Sequence, residues 1–114
     1  SLSNKEDNTK YTESGFEITL TDNVLSFSGK LEKSDYAEID SFLRDVDQTL
    51  RAATCIIELT QLTFLNSSGI KCLATFMLGS PKQFEIRINP SITWQTESIP
   101  ALAMLKPNGI TIVS

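Results

Sequence analysis

The sequence contains no histidine, which removes the commonest general base and the commonest metal ligand of neutral pH. Only two cysteines occur, Cys55 and Cys72, too few for a disulfide framework. Cys55 sits in an apolar run and Cys72 in a predicted helix, so both read as reduced and mostly buried thiols. No apolar stretch approaches the roughly 20 residues that a membrane-spanning helix requires. The segment Ser1 to Lys10 is polar and lacks the apolar centre of a secretory leader. Five Gly and four Pro in 114 residues are too few for a fibrous or low-complexity chain. Basic residues are also scarce: ten Lys and Arg against fourteen Asp and Glu leave a net charge of -4. That balance argues against a nucleic-acid partner, which needs a basic face. These absences point to a cytoplasmic chain without metal, cofactor or membrane, and with little equipment for catalysis.

What is present is globular. Hydrophobic residues make up 40% and charged residues 21%, enough for one core and, at this length, for one domain. Residues 1–14 carry no periodicity and are expected to form a flexible lead-in to a domain spanning 15–114. Phe16, Ile18 and Leu20 alternate with polar residues, and Val24, Leu25 and Phe27 resume that pattern after Asp22-Asn23, so a β-hairpin opens the domain.

Ser34 is the expected N-cap of a first helix that carries acidic residues in its first turn. Tyr36, Ile39, Leu43, Val46 and Leu50 form its apolar stripe, and it should reach about Ala53. Thr54 to Leu59 reads as a central strand covered by helices, with Thr60 to Asn66 as a loop. A second helix then carries Leu73, Ala74 and Met77, and stops at Gly79-Ser80-Pro81. Phe84, Ile86 and Ile88 mark another strand. Ser98 is the expected cap of a short last helix, with Pro100 in its first turn and Ala101, Leu102 and Leu105 facing inward. Trp94 reads as a core anchor for that helix rather than a contact residue. Ile110 to Val113 completes an α/β fold of order β-β-α-β-α-β-α-β, a mixed and mostly parallel sheet covered by helices.

One segment departs from ordinary patterning. Asn66, Ser67 and Ser68 offer three capping side chains where one suffices, and Gly69 follows them although Gly inside a helix costs roughly 1 kcal/mol relative to Ala. A plain capping sequence is one reading. The other is that the missing side chain at Gly69 leaves two hydroxyls open to an approaching protein.

Phe64-Leu65-Asn66-Ser67-Ser68-Gly69-Ile70 resembles the signature of STAS domains, in which a strand leads through a Leu/Phe-containing loop to Asp-Ser-Ser-Gly or Asp-Ser-Thr-Gly at the start of the second helix. Gly29-Lys30-Leu31 before the first helix also resembles the family's Gly-x-Leu segment, and the element order agrees over roughly 15–114. Within that family the sequence is similar to bacterial anti-sigma factor antagonists. The resemblance implies a transcription-regulating signalling protein whose Ser67 is the phospho-acceptor. Its partner would be both anti-sigma factor and serine kinase, and would dock on Asn66, Ser67, Ser68, Gly69, Ile70 and Lys71. Phosphate adds about -1.5 to -2 charges, which a helix N-terminus tolerates and a packed partner surface does not.

Asn66 stands where the family usually has Asp. It caps equally well but carries no charge for a kinase to read. A STAS scaffold that is never phosphorylated is therefore the second expectation. Small-molecule binding or catalysis is the third, and it finds no phosphate-cradling glycine loop, metal cluster or nucleophile–base pair. From Leu59 to Pro81 the only charged residue is Lys71, so helix 2 is either buried on several sides or offers an apolar docking face. A monomer or weak dimer is expected.

Overall fold

Six strands and three helices alternate in a computed structural model that describes residues 9–114. In chain order the elements are β1 (Lys10–Glu13), β2 (Phe16–Thr21), β3 (Val24–Leu31), α1 (Ala37–Thr49), β4 (Thr54–Leu65), α2 (Ser67–Gly79), β5 (Gln83–Arg87), α3 (Thr93–Met104) and β6 (Ile110–Val113). They form one sheet of order β1-β2-β3-β4-β5-β6, antiparallel through β3 and parallel from there on. The α/β class and the hairpin opening agree with the pattern read from sequence.

The strand order explains where the helices go. Each parallel crossover advances in the same direction across the sheet, and right-handed connections then deliver all three helices to one face. Burial follows: Ile18, Leu25, Phe27, Ile57, Leu59 and Ile86 are closed beneath Ile39, Leu43, Val46, Leu73, Met77 and Ile99. The alternate residues of the same strands, such as Thr19, Ser26, Glu58 and Arg87, are only half-buried. Arg87 pairs there with Glu58 at 3.6 Å and Glu85 at 2.9 Å. The helices thus cover one side of the sheet rather than both.

Five details differ from the sequence reading, each for a tertiary reason. Residues 10–13, placed in the lead-in, form β1: Tyr11 pairs with Ile18 and packs its ring against Phe16 and Phe42, contacts that periodicity over four residues does not reveal. Residues 1–8 of that lead-in lie outside the described residues. Helix α1 begins at Ala37 rather than beside Ser34, because Tyr36 is occupied elsewhere (below), and Asp35 Oδ1 accepts from Ala37 N instead. It ends at Thr49, where Lys82 Nζ reaches the Asp47 carbonyl.

Strand β4 runs six residues past the expected end at Leu59. Its buried residues, Cys55, Ile57 and Leu59 and then Leu62 and Leu65, change phase, and its register with β3 shifts between Ser26 and Ser28 and between Gly29 and Lys30. Irregular pairing destroys the period-two signal, so the sequence reads as a loop. Helix α3 begins at Thr93, with Pro100 in its interior and Gln95, Ile99 and Leu102 as its buried stripe. Ala101 and Leu105, expected inside, are exposed.

The early start of α3 matters to everything upstream. Strand β5 pairs with β4 only from Thr54 to Glu58, so the rest of that edge of β4 has no strand beside it. The side chains of α3 replace the strand. Gln95 Nε2 donates to the carbonyls of Leu59 (2.6 Å) and Leu62 (3.0 Å), and Trp94 Nε1 donates to Leu62 (2.9 Å). Gln95 Oε1 accepts from Asn89 N at 2.8 Å. A fully buried polar side chain is stable only when its hydrogen bonds are made, and here they are.

Candidate functional site

The long β4 delivers the chain to α2 beside the end of β3. Register places Leu31 against Leu65, and Asn66 N donates to the Leu31 carbonyl at 3.2 Å. Asn66 then becomes the N-cap of α2, its Oδ1 accepting from Gly69 N at 3.0 Å and its carbonyl from Ile70 N at 3.0 Å. The expected cap is therefore Asn66, and Ser67 and Ser68 are left free to do something else. Both are exposed, and among the described residues neither hydroxyl has a hydrogen-bond partner. Ser67 is the first residue of α2.

The carboxamide of Asn66 does more than cap. Its Oδ1 also accepts from the Tyr36 hydroxyl at 2.5 Å, and its Nδ2 donates to the Lys33 carbonyl at 2.8 Å. Lys33 N completes the junction by donating to the Tyr36 hydroxyl at 3.4 Å. The β3–α1 loop is thereby fastened to the start of α2. Burial raises the Tyr36 pKa above the ordinary phenol value, so the ring keeps the proton it donates. Lys33 extends the network to Glu13 (3.0 Å), whose carboxyl is held below the usual range chiefly by a hydrogen bond from Tyr11.

Asn and Asp are not interchangeable here, contrary to the expectation of equal caps. Asp would keep the bonds to Gly69 and Tyr36 but would set an oxygen against the Lys33 carbonyl where Nδ2 now donates. Asn66→Asp is expected to destabilise the protein by about 1–3 kcal/mol, the cost of an unsatisfied partly buried group. An unchanged thermal midpoint would refute that account of the junction.

Gly69 also plays a different part. It is buried and does not line the surface beside the hydroxyls. A Cβ on it would run into the Leu65 side chain, 2.9 Å from its Cγ, and would lie 2.7 Å from Tyr36 Oη. The missing side chain lets β4, α1 and α2 close on one another. Of the other expected docking residues, Lys71 is exposed and Ile70 half-buried. Ser68, Lys71 and Thr75 line a shallow groove with Ser34, Tyr36 and Asp40 of the α1 side. Phe64, just before the cap, is 40% exposed.

The apolar character of α2 divides between the two readings given for it: Phe76, Leu73 and Met77 are buried, whereas Leu78 stays 48% exposed. Cys72 is half-buried against the core, and desolvation pushes its thiol up to about 11, so it is a poor nucleophile. Cys55 is buried and raised to about 11 for the same reason. Trp94 and Gln95 act on this site at one remove, as braces of β4. Sequence offered little sign of the Gln95 bonds or of the Tyr36 junction, since both join segments about thirty residues apart.

Among the described residues no group of His, Cys, Asp or Glu is placed to hold a metal ion, and no helix is long and apolar enough to cross a membrane. The α2 N-terminus has no acidic residue in its first turn, so its amide dipoles meet no neutralising charge there. Chemically the site offers two free hydroxyls on a rigid, electropositive helix start. No family model matches the chain, and no curated protein matches it.

Proposed function

We propose that the chain is a non-enzymatic, cytoplasmic regulatory module of the STAS type, resembling bacterial anti-sigma factor antagonists, whose binding to a protein partner is switched by phosphorylation of Ser67. The observation that carries the proposal is the position of Ser67: exposed, unbonded among the described residues, and first in a helix whose cap is already supplied by Asn66. A phosphate there would gain from the helix dipole and nearby amides, and no core contact of Ser67 would be lost. The fold would remain as it is. A partner packed over Ser67 and Ser68 would instead meet a bulky, hydrated dianion and leave. The partner in this reading is an anti-sigma factor with serine kinase activity.

A second reading is favoured by one observation. The Asn66 amide is fully used inside the fold, so its identity is explained without any kinase. On that reading the domain is a scaffold and Ser67 stays unmodified.

Capture of the native partner with and without ATP-Mg²⁺, followed by mass measurement of the captured chain, tests the proposal. Wild type is expected to gain one phosphate and be released when ATP is added, and Ser67→Ala to remain bound. Ser67→Asp should bind more weakly even without ATP, since it brings one negative charge to the contact. Binding that ignores ATP, with wild type unmodified, leaves the scaffold reading standing and ends the switch.

A further inference from the structure

Helix α2 turns one side to the core and the other to solvent. Gly69, Leu73, Phe76 and Met77 are its buried residues, whereas Ser67, Ser68, Lys71, Thr75 and Leu78 are exposed. With 3.6 residues to a turn, Lys71 lies only about 40° around the helix axis from Ser67, one turn further along. The two side chains are therefore i,i+4 neighbours on the solvent side, with Cβ atoms about 6 Å apart. An acidic group followed four residues later by lysine is the favourable order for an ion pair along a helix. Ser67 becomes such a group once it carries a phosphate.

Lys71 is also unoccupied. It is the only charged residue from Leu59 to Pro81, and among the described residues its Nζ makes neither an ion pair nor a hydrogen bond. The titratable groups that line the α1–α2 groove with it are Tyr36, Asp40 and Cys72. Tyr36 and Cys72 keep their protons at neutral pH, because burial raises both. Asp40 is taken by Arg44 at 3.0 Å, within α1. Lys33, the cation of the neighbouring loop, is taken by Glu13 at 3.0 Å. Lys71 is thus left without an acidic partner beside a serine that has no hydrogen bond.

We infer that Lys71 is the counter-ion of the phosphate on Ser67, the two closing an ion pair along the exposed side of α2. The inference rests on the reading of Ser67 as phospho-acceptor and says how that modification is held. No element has to move, since both residues already stand on the same side of one helix. The pair also gives release of a partner a second cause besides the bulk of the phosphate. Ser67 and Lys71 both belong to the expected docking set, and the pair withdraws a free hydroxyl and a free ammonium from it together. The first turn of α2, which has no acidic residue of its own, gains one that its dipole favours.

A chain synthesised with phosphoserine at position 67, with no kinase, ATP or partner present, tests the pair. Its phosphorus resonance follows the second ionisation of the phosphate, which in ordinary phosphoserine falls at about 6. A neighbouring ammonium favours the dianion, so Lys71→Gln is expected to raise that pKa by about 0.3 or more, and Lys71→Arg to restore it. The difference should vanish in about 1 M salt, which screens an exposed pair. Without phosphate, Lys71→Gln should melt where the wild type does, since the side chain is exposed and unpaired. With phosphate it should melt lower than the phosphorylated wild type. Identical titrations of the two phosphorylated chains would overturn the inference. So would an equal shift from Lys30→Gln, which removes the cation set opposite Phe64 on β3. Neither result bears on the switch itself, which fails separately if ATP leaves the wild type unmodified.

Discussion

Replacing Gln95 by Leu is expected to lower the unfolding free energy by about 3 kcal/mol or more, and the melting midpoint by roughly 12 °C or more. The side chain is fully buried and makes three hydrogen bonds, to Asn89 N and to the carbonyls of Leu59 and Leu62. Leu fills similar space, so a cavity is not the source of the loss. The source is polar: Leu62 keeps its bond from Trp94, but the Leu59 carbonyl loses its donor Gln95 Nε2 and the Asn89 N–H loses its acceptor Gln95 Oε1. Each buried group left unsatisfied costs about 1–3 kcal/mol. The damage should also spread along the chain, because the edge of β4 held by Gln95 is the part that carries Phe64, Leu65 and Asn66 to α2. Hydrogen exchange is therefore expected to quicken at Leu62 to Ile70 before it does in β2. A variant within 1 kcal/mol of wild type would mean that α3 merely lies beside β4 and does not complete its edge.

Gly69→Leu is expected to cost about 3 kcal/mol, with a fall of roughly 10–15 °C in the midpoint. Helix propensity by itself predicts the reverse, since Leu is the better helix former by somewhat less than 1 kcal/mol. Packing decides the sign. The Leu65 side chain in the way is 5% exposed and closed in by the core, and the Tyr36 hydroxyl is fixed by Asn66, so neither can yield cheaply. Pushing Tyr36 aside also breaks the junction that holds the β3–α1 loop to the α2 start. Partner binding should fall with stability, whereas Ser67→Ala leaves stability alone. A Gly69→Leu protein as stable as wild type, with binding lost, would restore Gly69 to the docking surface.

Gly29, two residues before the end of β3, shows the same backbone economy. Its φ of 100° and the approach of the Gly15 carbonyl, which accepts from Lys30 N at 3.0 Å, leave no place for a Cβ. Sequence marked Gly69 as unusual and gave Gly29 only a place in a segment resembling Gly-x-Leu. Why each is needed became visible only once distant segments were set side by side.

Local chemistry determined much of this protein from sequence alone. Alternation at Phe16–Leu20 and Phe84–Ile88, and three- and four-residue steps at Ile39–Val46, fix strands and helices because each element must bury its own apolar side. The βα order then fixes the class, since right-handed crossovers leave few ways to stack those elements. The capping residues before Gly69 likewise put Ser67 at a helix start. What only the tertiary structure decided lies where polar groups find partners far along the chain: the extension of β4 braced by Gln95, the delayed start of α1 at Tyr36, and the use of every polar atom of the Asn66 side chain. Periodicity reports which side of an element is apolar. It carries no record of which distant backbone group a buried amide or hydroxyl must satisfy, and in this fold those bonds set the strand ends and shape the site.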